Sequence, residues 1–350
     1  MVKAVAFAVP GDLATPTGGY GYDRRIIAEL RALGWRVDIL DLGEDFPRPT
    51  PQVRSTASMR LASLPPGRTV IVDGLALGVL PEAAASLQRS HNLVALVHHP
   101  LWLESGLSVR ESEALRGSER QAVACARRVI TPSAAMARSL AADFAVPKDR
   151  IAVVQPGTDP VEHNRRPDED VVTLLAVGSV IPRKGYDVLV AALAKIASLP
   201  WRLMIVGDRD RDFQTAVKLD VEVARHQFTA RIKFVGAVAP ERLFEFYEAA
   251  DVFVLPSRFE GYGMAYAEAI AHGVPVIGTT AGAVPETVPA GAGVLVPPDD
   301  VPALAAALRR LITDRAERAR LAAGARSAAM RLPTWQDAGQ RFASVLESLA

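Results

Sequence analysis

The sequence predicts an α/β protein of two Rossmann-like domains, each built on a parallel sheet with helices on both faces. Three observations carry the prediction. Short apolar strands alternate with stretches of helical period through most of the chain. The alternation breaks once, at a polar stretch marked by prolines, and then restarts. The chain has 350 residues, 49% of them hydrophobic, enough to bury two cores.

The first strand is the apolar run Lys3–Val9. A loop holding Gly11, Gly18, Gly19 and Gly21 follows. A helix is then expected from about Tyr22 to Leu33, where Ile26, Ile27 and Leu30 recur at helical spacing and Gly34 stops it. Val37–Leu40, Thr69–Val72, Leu93–Val97, Arg128–Thr131 and Ile151–Val154 are further short apolar strands, and Glu111–Ala126 and Ala134–Phe144 have helical period. Pro156, Gly157 and Pro160, with the polar run Glu162–Asp170, mark a linker. The expected organisation is an N-terminal domain over 1–157, a linker at 158–170, a C-terminal domain over 171–333, and a last helix at 334–350 that crosses back to the first domain.

The second half repeats the alternation. Val171–Val177, Arg202–Val206, Arg231–Val235, Asp251–Leu255 and Val274–Ile277 read as strands. Tyr186–Ala197, Phe213–His226, Pro240–Ala249, Leu304–Ile312, Ala316–Met330 and Trp335–Leu349 read as helices. Two open sheets of this kind place a ligand cleft between the domains, at strand C-termini. Alternation alone fits many chemistries.

Composition removes several classes. Forty basic and 39 acidic residues give a formal net charge of +1, which argues against nucleic-acid binding by bulk electrostatics. One cysteine, Cys125, excludes a disulfide framework and a thiolate metal cluster, and reads as a small buried hydrophobe. MVKAVAFAVPGD reads as a strand entering a loop, not a leader. The uncharged run Ala269–Pro285 is too short and too broken by Pro275 and glycines to span a membrane. A soluble, cytoplasmic protein without a transmembrane segment is expected.

The chemistry concentrates in Ser257–Glu286, SRFEGYGMAYAEAIAHGVPVIGTTAGAVPE. Glu260 and Glu268 stand eight positions apart around a glycine-punctuated turn that opens a helix. Glycines allow close approach of backbone to an anion, and helix-start N–H groups attract phosphate. Carboxylates accept hydrogen bonds from sugar hydroxyls. The E-x7-E spacing, the following GVPVI and the later Gly282-x-x-x-Glu286 resemble the retaining nucleotide-sugar glycosyltransferases of family 4. Gly178-Ser179-Val180-Ile181-Pro182-Arg183-Lys184-Gly185 matches that family's G-x-x-x-x-[KR]-K-G pattern. Its cations suit a departing diphosphate without metal.

The resemblance implies a GT-B architecture, two parallel sheets facing across a cleft, and transfer of a hexose from a nucleotide diphosphate (UDP-glucose-like) to an acceptor hydroxyl. It implies ribose binding by Glu268, a place near the donor sugar for Glu260, and backbone N–H groups from Gly261, Tyr262, Gly263 and Met264 on sugar and phosphates. Arg183 and Lys184 would stabilise the leaving group. Gly18 and Gly19, before the first helix and with Arg24 and Arg25 just downstream, would approach the donor from the first domain. His98 of His98-His99-Pro100 would lie near the donor sugar. Gly207, Val235 and Gly236, in loops after strands, would flank base and phosphate. No cofactor and no metal is implied beyond the nucleotide-sugar substrate. Asp208-Arg209-Asp210 is a literal D-x-D, but it sits in a loop of alternating charge and Arg183-Lys184 already supplies positive charge.

No side chain is an obvious covalent nucleophile, so same-face attack is expected. A nucleotide-sugar 2-epimerase of the same architecture, or a non-catalytic nucleotide-sugar-binding protein, are the alternatives. Glu111, Glu113 and Glu119 interrupt the arginines of Arg110–Arg128, which weakens a membrane-docking reading and favours a small-molecule or glycan acceptor over a lipid.

Overall fold

The computed structural model describes residues 3–104, 106–161 and 170–349. The chain divides into two compact units, Met1–Gly157 with Pro333–Ala350, and Thr158–Leu332. Residues 162–169 of the expected linker lie outside the described residues.

The first unit holds β1 (Ala4–Val9), β2 (Arg36–Asp41), β3 (Thr69–Asp73), β4 (Asn92–Leu96), β5 (Arg128–Thr131) and β6 (Ile151–Val153). They form one parallel sheet in the order β2-β1-β3-β4-β5-β6. Its helices include α1 (Gly18–Ala32), α2 (Pro51–Ala62), α3 (Gly74–Leu77), α4 (Pro81–Ser90), α5 (Val109–Ala124) and α6 (Ala134–Asp143). Both faces of the sheet are covered, so β1 is apolar at consecutive positions: Val5 through Val9 are at most 1% exposed.

The second unit holds β7 (Val172–Val177), β8 (Trp201–Val206), β9 (Ile232–Gly236), β10 (Val252–Val254), β11 (Val276–Thr279) and β12 (Gly293–Val296). The sheet is again parallel, ordered β12-β11-β10-β7-β8-β9. Helices α7 (Tyr186–Ala194), α8 (Phe213–Arg225), α9 (Pro240–Glu248), α10 (Met264–Ala271), α11 (Val284–Thr287), α12 (Val301–Thr313) and α13 (Arg315–Ala329) surround it. The last helix, α14 (Trp335–Glu347), lies on α1 in the first unit. Trp335 meets the Tyr22 ring edge-on with centroids 6.1 Å apart, and Gly339 makes room for Glu29, whose Cβ would stand 2.3 Å from an added methyl.

Each order has a switch point, a place where successive connections leave to opposite sides and open a crevice at the strand C-termini. In the first unit it lies between β1 and β3, in the second between β7 and β10.

The structure corrects several expectations. Gly18 and Gly19 are the first turn of α1, not a loop before it, because Thr17 caps the helix by accepting from Tyr20 N. Val235 and Gly236 close β9 instead of following it. Cys125 is half-buried at the C-cap of α5. Glu119 is no surface charge; it is fully buried and accepts from Leu101 N at 2.9 Å, so it cannot interrupt a basic face. α2, α4 and β12 were not expected: α2 buries only Ala57 and Leu61, and β12 is four residues long. Among the described residues no helix is long and apolar enough to cross a membrane.

Candidate functional site

In the second unit the site grows from two segments that leave neighbouring strands at the switch point. After β7 the chain turns through Pro182–Lys184 and closes at Gly185, where φ is 70°. A Cβ at Gly185 would lie 2.1 Å from Pro256 O, so only glycine lets this turn rest on the segment after β10. That contact brings Lys184 Nζ to 2.7 Å from Glu260 Oε1 and Arg183 Nη1 to 3.6 Å from Glu260 Oε2. Arg183 Nη1 also donates to Phe259 O at 3.1 Å.

Ser257 Oγ donates to Glu260 Oε1 at 2.7 Å, and Thr279 at the end of β11 donates to Ser257 O at 2.6 Å. Gly282 (φ 56°) lies so close to the Glu260 backbone that a Cβ would reach 2.3 Å from its carbonyl oxygen. Three strands thus fix one carboxylate.

Glu260 is 6% exposed. Burial alone would raise its pKa, but the charges of Lys184 and Arg183, with hydrogen bonds from Lys184 and Ser257, hold it below the usual carboxylate range. Burial takes Lys184 below its ordinary value; Glu260 opposes the fall and Arg183 adds to it. The asymmetry follows from the count: one carboxylate faces two cations. The sequence reading placed Arg183 and Lys184 as cations for a phosphate; the structure shows both engaged with Glu260, a cluster that keeps one net positive charge. Arg183 Nε is buried without a hydrogen-bond partner.

Gly263 (φ 91°) is the N-cap of α10, with Gly261 and Tyr262 leading into it and Met264 opening the helix. Glu268, on the same helix, accepts from Tyr247 Oη at 2.7 Å; burial raises its pKa and that bond partly offsets the rise. Gly178, Gly207 and Gly236 end β7, β8 and β9 as a rim without side chains. Gly207 N donates to Gly236 O at 2.9 Å, and a Cβ on Gly207 would fall 2.0 Å from Gly178 O. The D-x-D residues have local roles. Asp208 accepts from Asp210 N, Asp212 caps α8, and Arg209 pairs with Asp220.

The first unit has its own cluster at the β1/β3 switch point. His98 follows β4, Asp73 ends β3, and Asp23 comes from α1. His98 Nε2 lies 3.0 Å from Asp23 Oδ1 and 3.5 Å from Asp73 Oδ2. Gly19 abuts the imidazole: an added Cβ would stand 3.4 Å from His98 Cδ2. His99 turns instead to Glu104. These carboxylate and imidazole atoms are the one group among the described residues close enough together to surround an ion, all lying within 4.8 Å of one another. A proton on Nε2 already accounts for the 3.0 Å spacing.

Of the residues singled out from sequence, Arg183, Lys184 and Glu260 meet directly, and Glu268 stands on the helix that Gly261–Met264 opens. Gly18, Gly19 and His98 belong to the other unit. Sequence reasoning missed Ser257, Tyr247, Asp73 and Asp23. Asp23 had a signal: it shares helical spacing with Ile26, Ile27 and Leu30, which puts a carboxylate on an apolar face.

Comparison with known proteins identifies the family. A family model described as "Glycosyl transferases group 1" matches residues 171–314, and one described as "Glycosyltransferase Family 4" matches residues 70–162. The chain is 29% identical over 326 residues to an MMP alpha-(1->4)-mannosyltransferase of Mycolicibacterium hassiacum, covering 86% of this chain and 75% of the relative. It is 32% identical over 188 residues to a GDP-mannose-dependent monoacylated alpha-(1-6)-phosphatidylinositol monomannoside mannosyltransferase of Corynebacterium glutamicum. That match covers 51% of this chain and 48% of the relative, so the chain spans about half of that protein's length. With a D-inositol 3-phosphate glycosyltransferase of Rhodococcus erythropolis, identity is 33% over 264 residues, 68% of this chain and 59% of the relative. In fold it is similar to a sucrose-phosphate synthase from Thermosynechococcus elongatus, with TM-score 0.84, 22% identity and 99% of each chain covered. It is also similar to Anabaena HepE solved with UDP and glucose, with TM-score 0.77, 18% identity and 98% and 99% of the two chains covered.

Proposed function

The chain belongs to glycosyltransferase family 4, and on that premise we propose that it moves a hexose from a nucleoside diphosphate to an acceptor hydroxyl, retaining the anomeric configuration. The observation that carries the reading is the Arg183-Lys184-Glu260 cluster at the β7/β10 switch point. Fixed cations beside a glycine-capped helix start stabilise charge as a diphosphate leaves. The unpartnered Arg183 Nε is a further donor for a phosphate oxygen. Glu268, steadied by Tyr247, accepts from the ribose hydroxyls, and Glu260 holds the two cations and borders the donor sugar. His98 is assigned to the donor sugar as well.

In the proposed step the C1–O bond to the diphosphate breaks while the acceptor oxygen bonds to C1 on the same face. The acceptor proton passes to the departing phosphate oxygen. No metal is required, because the positive charge is built into the chain.

GDP-mannose is the first donor to test, since two relatives are named as mannosyltransferases, and UDP-glucose the second. The acceptor we propose is a polyhydroxylated small molecule or glycan, because Glu111 and Glu113 still stand among the arginines of α5. The acceptor panel includes a phosphatidylinositol mannoside and an inositol phosphate, because relatives are named for them. The test is incubation of each donor with and without an acceptor panel. Release of the nucleoside diphosphate only with acceptor supports transfer. Donor alone turning into its C2 epimer would select the epimerase, and binding without turnover a sensor.

A further inference from the structure

We propose that Asp23 is a positioning residue for His98: it fixes the imidazole through Nε2 and keeps it cationic, so that Nδ1–H serves as the donor to a sugar oxygen. The proposal rests on the reading that His98 serves the donor sugar. Asp23 is fully buried on α1; His98 Nε2 lies 3.0 Å from its Oδ1, and the Asp73 carboxyl is its other hydrogen-bonding neighbour. Its second oxygen, Oδ2, is buried without a partner. Among the described residues no backbone donor and no Lys or Arg side chain accounts for this carboxylate, and an isolated buried carboxylate is costly. Asp73 differs, since Leu75 N at 2.7 Å ties it to the start of α3. The fold thus explains Asp73 as a cap, and Asp23 through the imidazole and the neighbouring Asp73 carboxyl.

The surroundings hold the ring in one place. Tyr22 meets it edge-on with centroids 5.3 Å apart, and Gly19 lies against Cδ2. The charged or titratable groups that face the ring among the described residues are Asp23 and Tyr22 from α1 and Asp73 from β3, while the adjacent His99 turns to Glu104. Nδ1 makes no hydrogen bond among the described residues. Burial would lower the His98 pKa, but Asp23 and then Asp73 outweigh it and hold it at about 10. Burial pushes Asp23 up to about 7, with His98 opposing and Asp73 adding to the rise. The proposal therefore requires the imidazolium at neutral pH, lost as pH rises through the His98 value.

The test is NMR titration of the full chain, with the His98 resonance among the six histidines assigned by its loss in His98→Ala. In the wild type His98 is expected to stay protonated through pH 9. In Asp23→Asn, which keeps shape and removes charge, its midpoint should fall by about one pH unit or more. The basic limb of kcat should move the same way, with donor KM little changed. A midpoint unmoved in Asp23→Asn overturns the proposal. So does a wild-type His98 neutral at pH 7, a result that stands even if the variant does not fold. A harmless His98→Ala would instead defeat the underlying assignment of His98, while the titration still decides whether Asp23 controls the ring.

Discussion

Replacing Lys184 with methionine removes one of two cations on a buried carboxylate. Removing one partner of a buried ion pair costs about 3–5 kcal/mol when the survivor is left uncompensated. Here Glu260 keeps Arg183 at 3.6 Å and Ser257 Oγ at 2.7 Å, so the lower end applies, about 3 kcal/mol. Glu260→Gln leaves two cations facing an amide and should cost a similar amount. The double variant removes both charges and should cost less than the sum of the singles, with a coupling of about 1–3 kcal/mol. Urea slopes near 1–3 kcal/mol/M translate each single loss into a midpoint lower by about 1–3 M. Hydrogen-exchange mass spectrometry across a urea series, read on peptides from β7 and β10, reports this unit separately from the other. Wild-type midpoints in both singles, or additive effects in the double, would show that the pair does not hold the site together. Turnover should fall as well, since the same Nζ is assigned to the leaving diphosphate.

Three further outcomes are expected. Glu119, raised to about 8 by burial despite the Leu101 N–H, binds a proton more readily folded than unfolded. First-unit stability should therefore fall as pH rises from about 4.3 to about 8, and Glu119→Gln should flatten that slope in urea unfolding. Glu268→Ala should weaken binding of GDP-mannose or UDP-glucose about tenfold or more in calorimetry, the loss of one charge-assisted bond of roughly 1.5–3 kcal/mol. Transfer should persist in excess EDTA, and Asp208→Ala with Asp210→Ala should leave it largely intact; restoration by Mg²⁺ after EDTA loss would contradict this.

The elements were legible where periodicity is strong. Arg128–Thr131 and the start of α7 at Tyr186 fall where the sequence places them, because each is a buried run with a clear boundary. α2 and β12 were not, since a helix with two buried residues and a strand that opens on Gly293 and buries only its two ends carry too little pattern. Thr17 shows how a cap overrides composition: two glycines read as loop, yet one hydroxyl starts the helix before them. In the site, glycine and charge spacing pointed to Arg183, Lys184 and Glu260 but not to their mutual pairing, which depends on Gly185 passing Pro256. Asp23 was hidden among Arg24 and Arg25, where a carboxylate looks solvated; its helical phase with Ile26 and Leu30 is what betrays it.

A crystal structure of the chain soaked with GDP-mannose or UDP-glucose tests the central claim most directly. The account predicts the diphosphate on Arg183, Lys184 and the start of α10, with the ribose hydroxyls on Glu268. A nucleotide bound away from the β7/β10 switch point, with the Arg183-Lys184-Glu260 cluster untouched, would contradict it.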